Sequence, residues 1–203
     1  MIATRGRPVV HDRAHVLAAA REVAAERGFA SLRFADVSEA SGVAVSSLQY
    51  LFGSRARLVA EVVKAGVAEE IERLEAVAAA EPDPWRRVRE LVAEAIGTDE
   101  AERRTAWLLW LEYWRAAQHD EQLRADYVEV ARRWRALLET AVDDGVAGGR
   151  FDLAQPAAEV AAAIVAVMDG VLLQVDVGDD AFDGARGIRV AQESARRLLG
   201  VSR

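Results

Sequence analysis

The 203-residue sequence contains no cysteine, and this absence excludes disulfides, thiolate metal sites and cysteine nucleophiles. Proline is scarce too, with four residues, whereas just over half of the chain is hydrophobic. Such a composition can bury a sizeable core and is not typical of a disordered chain. No apolar run approaches the roughly 20 uncharged residues that a membrane span needs, and no signal peptide pattern opens the sequence. We therefore expect a cytoplasmic protein that does not contact a membrane.

Basic residues are outnumbered in the chain as a whole, which has a net charge of −7, but they are not evenly spread. Residues 1–60 hold eight arginines against five acidic residues, a net charge of +3 that leaves −10 for the remainder. Because phosphate attraction is needed only where a protein touches nucleic acid, a small basic module joined to a large acidic one favours DNA binding by the first. Chance asymmetry is the alternative that charge alone leaves open.

Alternating strand patterns are absent, and apolar residues recur almost throughout at the three- and four-residue spacing of helices. Gly28 is placed to end the first helix in a left-handed cap, Ser54 to cap a long fourth helix, and residues 81–84 to form a linker. The pattern predicts an all-α fold with helices at about 11–27, 34–41, 46–52, 55–80, 84–97, 100–118, 121–144, 156–176 and 184–199.

The second and third predicted helices fit a helix-turn-helix. This motif needs a turn where one residue takes a positive φ, which Gly42 supplies, and apolar positions that lock the two helices together, such as Val37 and Leu48. The second helix must also present polar side chains that reach base edges. The candidates on its outer face are Ser46, Ser47, Gln49 and Tyr50. A generic helical hairpin fits the same spacing and stays open on pattern alone.

The stretch from Arg13 to Leu58 resembles the DNA-binding domain of the TetR family of regulators. The matching segments, in order, are Leu17-Ala18-Ala19-Ala20, Arg27-Gly28-Phe29, Asp36-Val37, Ala40-Ser41-Gly42-Val43, Leu48 and Phe52-Gly53-Ser54-Arg55. The resemblance implies a three-helix helix-turn-helix domain at residues 1–54, with a basic arm at 1–10. It also implies a helical effector-binding and dimerisation domain at residues 55–203, with the fourth helix connecting the two.

The resemblance further implies that the helix around residues 46–51 lies in the major groove, with Tyr50 and Arg55 at positions that commonly touch phosphates. Gln49 stands where the family most often has a tyrosine. Since glutamine can bond adenine N6 and N7 bidentately, this departure favours base readout at Gln49. Arg33 stands where a small hydroxyl residue usually opens the second helix, and it is either a phosphate contact or a solvated surface charge.

Two arginines, Arg5 and Arg7, flank a glycine ahead of the first helix. Guanidinium groups on a flexible arm suit a narrow minor groove, where the negative potential attracts them. We therefore expect both arginines to contact DNA. An unstructured tail without contacts is the alternative.

Large aromatic residues recur on one stripe of each of two consecutive predicted helices, at 100–118 and 121–144. An aromatic stripe fits a core as well as a pocket, and the combination of large rings with a few polar groups favours the pocket. Stacked indoles suit a cationic ligand, but Glu112 points away from the stripe, so the charge of the ligand stays open. Tyr113 lies at the edge of the stripe. The candidate ligand-binding residues are Trp107, Trp110, Trp114, Gln118, Tyr127 and Trp134.

The helix at 156–176 has two apolar faces. Its valines and Ile164 form one face, suited to the core, and small residues form the other, where a partner helix can approach closely. In the TetR family the last two helices pair with their symmetry mates as a four-helix dimer interface. The candidate interface residues are Ala162, Ala166, Gly170, Leu173, Ile188, Ala195 and Leu199.

Sequence motifs for enzyme chemistry are missing: there is no phosphate-binding glycine loop, dinucleotide fingerprint or nucleophile elbow. His11 and His15 have the spacing of helical metal ligands but lack an evident third ligand. We therefore expect no enzyme, cofactor or metal site.

The sequence predicts a ligand-responsive transcriptional regulator, a repressor by the family's habit, which binds a palindromic operator as a homodimer and is released by a small-molecule effector. The alternatives are a transcriptional activator, or a helical ligand-binding protein or enzyme that carries a helix-turn-helix domain.

Overall fold

A computed structural model of the chain describes residues 13–177 and 182–201. All regular structure in these residues is helical, which confirms the all-α class. The described helices agree with the predicted ones to within three residues at each end, and one short 3₁₀ turn, Phe29–Ser31, was not predicted. The helices are α1 (Arg13–Arg27), α2 (Phe34–Ser41), α3 (Val45–Phe52), α4 (Arg55–Ala80), α5 (Pro84–Ile96), α6 (Glu100–Ala117), α7 (Glu121–Ala147), α8 (Ala157–Asp176) and α9 (Gly184–Leu198).

The described chain divides into two compact units, one up to Gly66 and one from Val67 onwards. The division falls inside α4, which is a continuous helix from Arg55 to Ala80. The first half of α4 therefore belongs to the N-terminal unit and the second half to the C-terminal unit. The sequence-based boundary after residue 54 coincides with the start of this helix.

The N-terminal unit packs α1, α2, α3 and the start of α4 around a small apolar core. Gly42 ends α2 with φ 70° and ψ 6°, the left-handed conformation, and its N–H donates to the Ser38 carbonyl at 3.0 Å. The predicted turn at Gly42 is thus confirmed. Gly28 also has a positive φ of 80°, but its ψ of 148° is extended, because the chain turns into the 3₁₀ segment instead of a left-handed cap. The fully buried residues of this core include Val16, Ala20, Leu32, Val37, Leu48 and Leu58.

Side-chain caps fix where most helices of the C-terminal unit begin. Asp83, Asp99, Asp120 and Asp183 precede α5, α6, α7 and α9, and each carboxylate accepts a backbone N–H three residues later at 2.7 to 3.0 Å. Ser54 does the same for α4, accepting the Arg57 N–H at 3.2 Å as predicted. Each such cap contributes about 1 kcal/mol by satisfying a donor that the helix leaves free.

Helix α8 packs against α5, α7 and α9 in the C-terminal unit. By length and composition alone α8 is apolar enough to cross a membrane. In this fold 33% of that apolar window is buried, on the one face that packs between the neighbouring helices. The buried residues of this face are Val160, Ala161, Ile164, Met168, Val171 and Val175. Four of the five predicted core residues are therefore buried, Val167 is only partly buried against the same core, and Ala161 and Met168 join the face.

Candidate DNA-binding and effector-binding sites

Helix α3 presents a polar face because its apolar residues point inwards. Leu48 and Phe52 are buried, at 0% and 1% exposed, and hold the helix against the N-terminal core. Ser46, Gln49 and Tyr50 lie on the exposed side. Tyr50 is 91% exposed, which is unusual for so large a ring on a protein surface. Ser47 is half-buried. This face therefore offers hydroxyl, amide and phenol groups to a partner.

Arg55 is tied into the fold at the start of α4. Its Nε donates to the Leu32 carbonyl and its Nη2 to the Phe29 carbonyl, both at 2.6 Å. These bonds join the beginning of α4 to Phe29 in the 3₁₀ turn and to Leu32, the residue that follows the turn. The phosphate contact of Arg55 stays a prediction, and the structure adds a role in stability.

Arg33 is exposed at the N-terminus of α2, where Asp36, three residues later, accepts the backbone N–H of Arg33. The Arg33 backbone N–H donates to the Asp36 carboxylate at 3.1 Å, and Arg27 donates to the same side chain at 2.8 Å. Asp36 thus closes the first turn of α2 while the Arg33 side chain stays at the surface. Arg5 and Arg7 lie outside the described residues.

His15 is exposed on α1 and is held at the surface of the N-terminal unit. Its Nε2 lies 3.1 Å from the Ser41 carbonyl, a hydrogen bond that joins α1 to the end of α2. Over residues 13–177 and 182–201, no group of three or more His, Cys, Asp or Glu side chains is arranged to hold a metal ion. His11 lies outside these ranges.

The C-terminal unit contains a partly open cavity of about 490 Å³, named here the aromatic cavity. Helices α4 to α8 line it, with α6 and α7 supplying the rings. Five of the six predicted ligand-binding residues line this cavity: Trp107, Trp110, Trp114, Tyr127 and Trp134. Gln118 is not among the lining residues. It follows the last residue of α6, where its amide nitrogen donates to the Trp114 carbonyl at 3.3 Å and helps to end the helix.

The rings of the aromatic cavity are held by edge-to-face contacts. The Tyr127 ring lies 6.0 Å from Trp110 and 5.4 Å from Tyr113, with interplanar angles of 83° and 87°. Tyr113 is 2% exposed, and burial raises the pKa of its phenol to about 12. Tyr113 therefore packs behind Tyr127 and supports the wall. Edge-to-face pairs of this kind contribute about 0.5 to 1.5 kcal/mol beyond the area that they bury.

Two carboxylates from outside the aromatic helices also line the cavity: Glu70 from α4 and Asp169 from α8. Glu70 is 6% exposed, and burial raises its pKa, although Arg73 works in the opposite direction. Asp169 is exposed along one side, yet enough protein surrounds its carboxyl to raise its pKa as well. One cation, Arg135, also contributes to the lining. The cavity thus combines ring faces with acidic groups, the arrangement that attracts organic cations.

The interpretation from the sequence missed both carboxylates because it sought a counter-charge on the aromatic helix itself. Glu112 points away from the cavity and pairs with Arg115, as expected from its position. A signal for Glu70 was present: it interrupts the apolar spacing of Val67, Ile71 and Leu74 on α4. Asp169 likewise follows a buried methionine inside the most apolar helix of the chain.

The outer face of α8 is exposed, as the two-faced pattern predicted. Ala166 and Gly170 are exposed, and Leu173 is 55% exposed despite its apolar side chain. Ala162 and, on α9, Ile188 are half-buried. Ala195 and Leu199 are 1% and 0% exposed within the chain's own core. This corrects their assignment to a dimer interface: the buried side of α9 packs on α5 and α8, so neither side chain reaches the surface.

Two protein families match the sequence, one over the helix-turn-helix and one over the C-terminal helices. Residues 16–62 match the family described as bacterial regulatory proteins of the tetR family, and residues 84–200 match the C-terminal domain of BetI-type transcriptional repressors. Together the matches include the helix-turn-helix and every helix that follows α4. The chain belongs to the TetR family of transcriptional regulators, with a C-terminal domain of the BetI type. Among curated proteins, no sequence matches at a significant level.

Solved structures share the fold over nearly the whole chain. A transcriptional regulator from Saccharomonospora viridis in complex with choline has 23% identity and a TM-score of 0.85, covering 94% of this chain and 98% of its own. A TetR regulator from Haloarcula marismortui has 18% identity, covers 92% and 95%, and has a TM-score of 0.76. The regulator FadR from Bacillus subtilis, in complex with stearoyl-CoA, has 16% identity, covers 95% and 100%, and has a TM-score of 0.73.

Proposed function

We propose that this TetR-family regulator is a cytoplasmic repressor that binds a palindromic operator as a homodimer and is released by an organic cation. The observation that carries the effector class is the aromatic cavity, where four tryptophans and a tyrosine surround a space that two carboxylates also line. The operator and the dimer rest on the family and on two exposed faces, the polar face of α3 and the apolar face of α8.

The polar face of α3 is suited to the major groove. Side chains that carry no packing can be used for recognition without loss of fold stability, and Ser46, Gln49 and Tyr50 are of this kind. A twofold dimer presents two such helices, and major grooves on one side of DNA repeat at about 34 to 36 Å. The expected operator is therefore an inverted repeat.

An organic cation is the effector chemistry that fits the cavity best. Trimethylammonium groups are attracted to ring faces, and nearby carboxylates, of which Glu70 is the buried one, add an opposite charge. The similar regulator from S. viridis is in complex with choline, which supports the same chemistry here. The cavity of about 490 Å³ has room for more than a trimethylammonium group, so a cation with a further substituent also fits.

Control of DNA binding requires that the effector bind the DNA-incompetent state more tightly, and the coupling is then reciprocal. Helix α4 is the natural carrier, since one continuous helix holds Arg55 in the N-terminal unit and Glu70 in the cavity wall. A cation drawn to Glu70 acts directly on this helix.

Cation binding is tested by titrating the purified protein with choline and with benzyltrimethylammonium while the tryptophan fluorescence is followed. Dimethylbutanol, the neutral carbon isostere of choline, is the matched ligand control. We expect saturable quenching by the cations and little response to the isostere. Equal binding of choline and its neutral isostere would contradict a cationic effector.

A matched pair of variants locates the site. Trp110→Ala removes a ring of the aromatic cavity, whereas Trp85→Ala removes a tryptophan that packs against the same core but does not line the cavity. Only Trp110→Ala should abolish cation binding. Each truncation of a packed tryptophan costs about 3 to 5 kcal/mol of fold stability, so thermal melting accompanies each titration. Equal loss of binding in both variants would show that the effect comes from lost fold stability, and it would contradict a binding site in the aromatic cavity.

Repressor and activator are distinguished by a reporter gene behind the selected operator. A repressor lowers expression until the cation is added, whereas an activator raises expression. A helical enzyme or ligand carrier would show no preference for one DNA sequence in a selection from a random pool.

A further inference from the structure

Glu70 separates two cavities in the C-terminal unit. On one side lies the aromatic cavity, and on the other a smaller cavity of about 160 Å³ at the ends of α5 and α6. Glu70, Ala95 and Ala106 line both of them. The smaller cavity is also lined by Arg73, one turn further along α4. A single buried carboxylate therefore faces the proposed effector site and an arginine of the same chain.

The Glu70 carboxylate is already paired with Arg73. Its Nη2 donates to Oε2 of Glu70, and the two residues form an ion pair at i, i+3 spacing on α4. The side chain of Glu70 is only 8% exposed, whereas the side chain of Arg73 is 55% exposed. The arginine thus reaches in from the surface to neutralise a charge that would be costly to bury alone.

Arg73 also has other acidic groups within reach. Its Nε lies 4.0 Å from Oε1 of Glu94 on α5, and Glu102 of α6 lines the same small cavity. Although burial works against it, the carboxylates of Glu70, Glu94 and Glu102 raise the pKa of Arg73. An arginine displaced from Glu70 therefore has acceptors at Glu94 and Glu102 and does not lose all its partners.

We propose that Arg73 is a tethered competitor of the effector: its guanidinium holds the Glu70 carboxylate, and a cation entering the aromatic cavity must share or replace it. This inference rests on the proposed cationic effector and names the residue that sets its affinity. Displacement moves Arg73 from a partner on its own helix to acceptors on α5 and α6. The effector then changes the contacts of α4, the helix proposed to carry the signal.

The inference predicts the sign of a mutational effect. Arg73→Gln removes the competing charge, and choline should bind about two- to fivefold more tightly, the range expected for a partly exposed ion pair. Arg73→Lys keeps a tethered cation and should bind choline close to the native affinity. If Arg73 instead positioned Glu70 for the effector, Arg73→Gln would weaken binding.

A double-mutant cycle tests whether Arg73 acts through Glu70. Glu70→Gln should weaken choline binding, and in that background Arg73→Gln should bring no further gain. Arg133→Gln is the matched control, because Arg133 pairs with Glu75 of α4 at 2.7 Å and Glu75 does not line the aromatic cavity. This control should leave the choline affinity unchanged. Arg73 is largely exposed, so its variants should fold, and thermal melting checks this for each one.

The outcomes separate this inference from the proposed function. Tighter binding by Arg73→Gln that disappears in the Glu70→Gln background supports the competitor. If the native protein binds choline and Arg73→Gln binds it equally or more weakly, Arg73 is not a competitor. The proposal of a cationic effector is then unaffected. Failure of the native protein and of every variant to bind choline or benzyltrimethylammonium overturns both.

Discussion

Among single residues, Gln49 is the position where we expect recognition of DNA to differ from the family's usual pattern. Its side chain is exposed on α3 and carries no core packing. Gln49→Ala should therefore leave thermal stability within about 0.5 kcal/mol. It should relax base preference at one position in each operator half-site, at a cost of about 1 to 3 kcal/mol for the preferred base. Thermal melting measures the first effect, and selection of bound sequences from a random DNA pool measures the second.

Arg33→Ala is the control for Gln49, since Arg33 is a candidate phosphate contact. It should weaken binding to all sequences alike and reduce the dependence of affinity on salt by about one phosphate per subunit. A uniform loss of affinity in Gln49→Ala as well would make Gln49 a backbone contact.

Removing the charge of Asp169 should have opposite effects on two properties: it should stabilise the fold and weaken effector binding. Because its pKa is raised in the folded chain, the ionised carboxyl opposes folding, and this cost is present at a pH above the raised value and absent below the ordinary one. Asp169→Asn should therefore raise the melting temperature at neutral pH, with no such gain in strong acid. The same change should weaken choline binding, since one of the two cavity carboxylates is gone. Asp143→Asn, at an exposed site of α7 outside the cavity, should change neither property.

The pH dependence of effector binding follows from the same two groups. Glu70 and Asp169 both have raised pKa values, and a bound cation favours their ionised forms. The affinity for choline should fall as the pH drops through these raised values. Arg73 and Glu94 act on Glu70, the Tyr127 ring neighbours Asp169, and Arg135 lines the same cavity. An affinity that stays constant from neutral to acid pH would contradict a role for either acid.

At the scale of helices, the close contact of α9 with α8 depends on Gly187. A Cβ at this position would lie 2.8 Å from Cγ1 of Val171 and 3.0 Å from Cγ2 of Val175, closer than side chains tolerate. Gly187→Ala should lower the free energy of unfolding by about 1 to 3 kcal/mol through overpacking. Ala185→Ser, at an exposed position of the same helix, should cost no more than about 0.5 kcal/mol. Chemical denaturation measures both, and equal small effects would show that the helices separate easily.

Helices were also the level at which the sequence was most informative. Their bounds follow from apolar spacing, glycines and aspartate caps, all of which are local, so the described ends differ from the predicted ones by three residues at most. The aromatic wall was predicted for the same reason, because Trp107, Trp110 and Trp114 share one side of a single helix. The short 3₁₀ turn has too few residues to show a period.

The features that sequence reasoning missed depend on which helices are neighbours. Glu70 and Asp169 are far apart in the chain and become parts of one cavity only when α4 and α8 pack around α6 and α7. Ala195 and Leu199 fit an interface by composition, but the packing of α9 turns them into the core. Arg55 fits a phosphate contact, and its bonds to two carbonyls appear only once the 3₁₀ turn is formed.

At the scale of the whole molecule, the exposed face of α8 should hold two copies together. Leu173 is 55% exposed in the single chain, so Leu173→Arg should leave the fold intact while placing a charge in the proposed interface. We expect a monomer in analytical ultracentrifugation and a large loss of operator affinity. Val146→Arg is the matched control, since Val146 is 44% exposed at the end of α7, outside the proposed interface. A Leu173→Arg protein that stays dimeric would contradict this surface.

Release of the operator by a cation depends on the DNA-binding site and the effector site together, and one titration measures it. A fluorescently labelled operator, chosen by selection from random DNA, is bound by the native protein, and its anisotropy is followed while choline, benzyltrimethylammonium or dimethylbutanol is added. The account predicts an inverted-repeat operator that the cations release and the neutral isostere does not. Release by the isostere at the same concentrations as choline, or an operator that stays bound at saturating cation, would contradict a regulator controlled by a cation in the aromatic cavity.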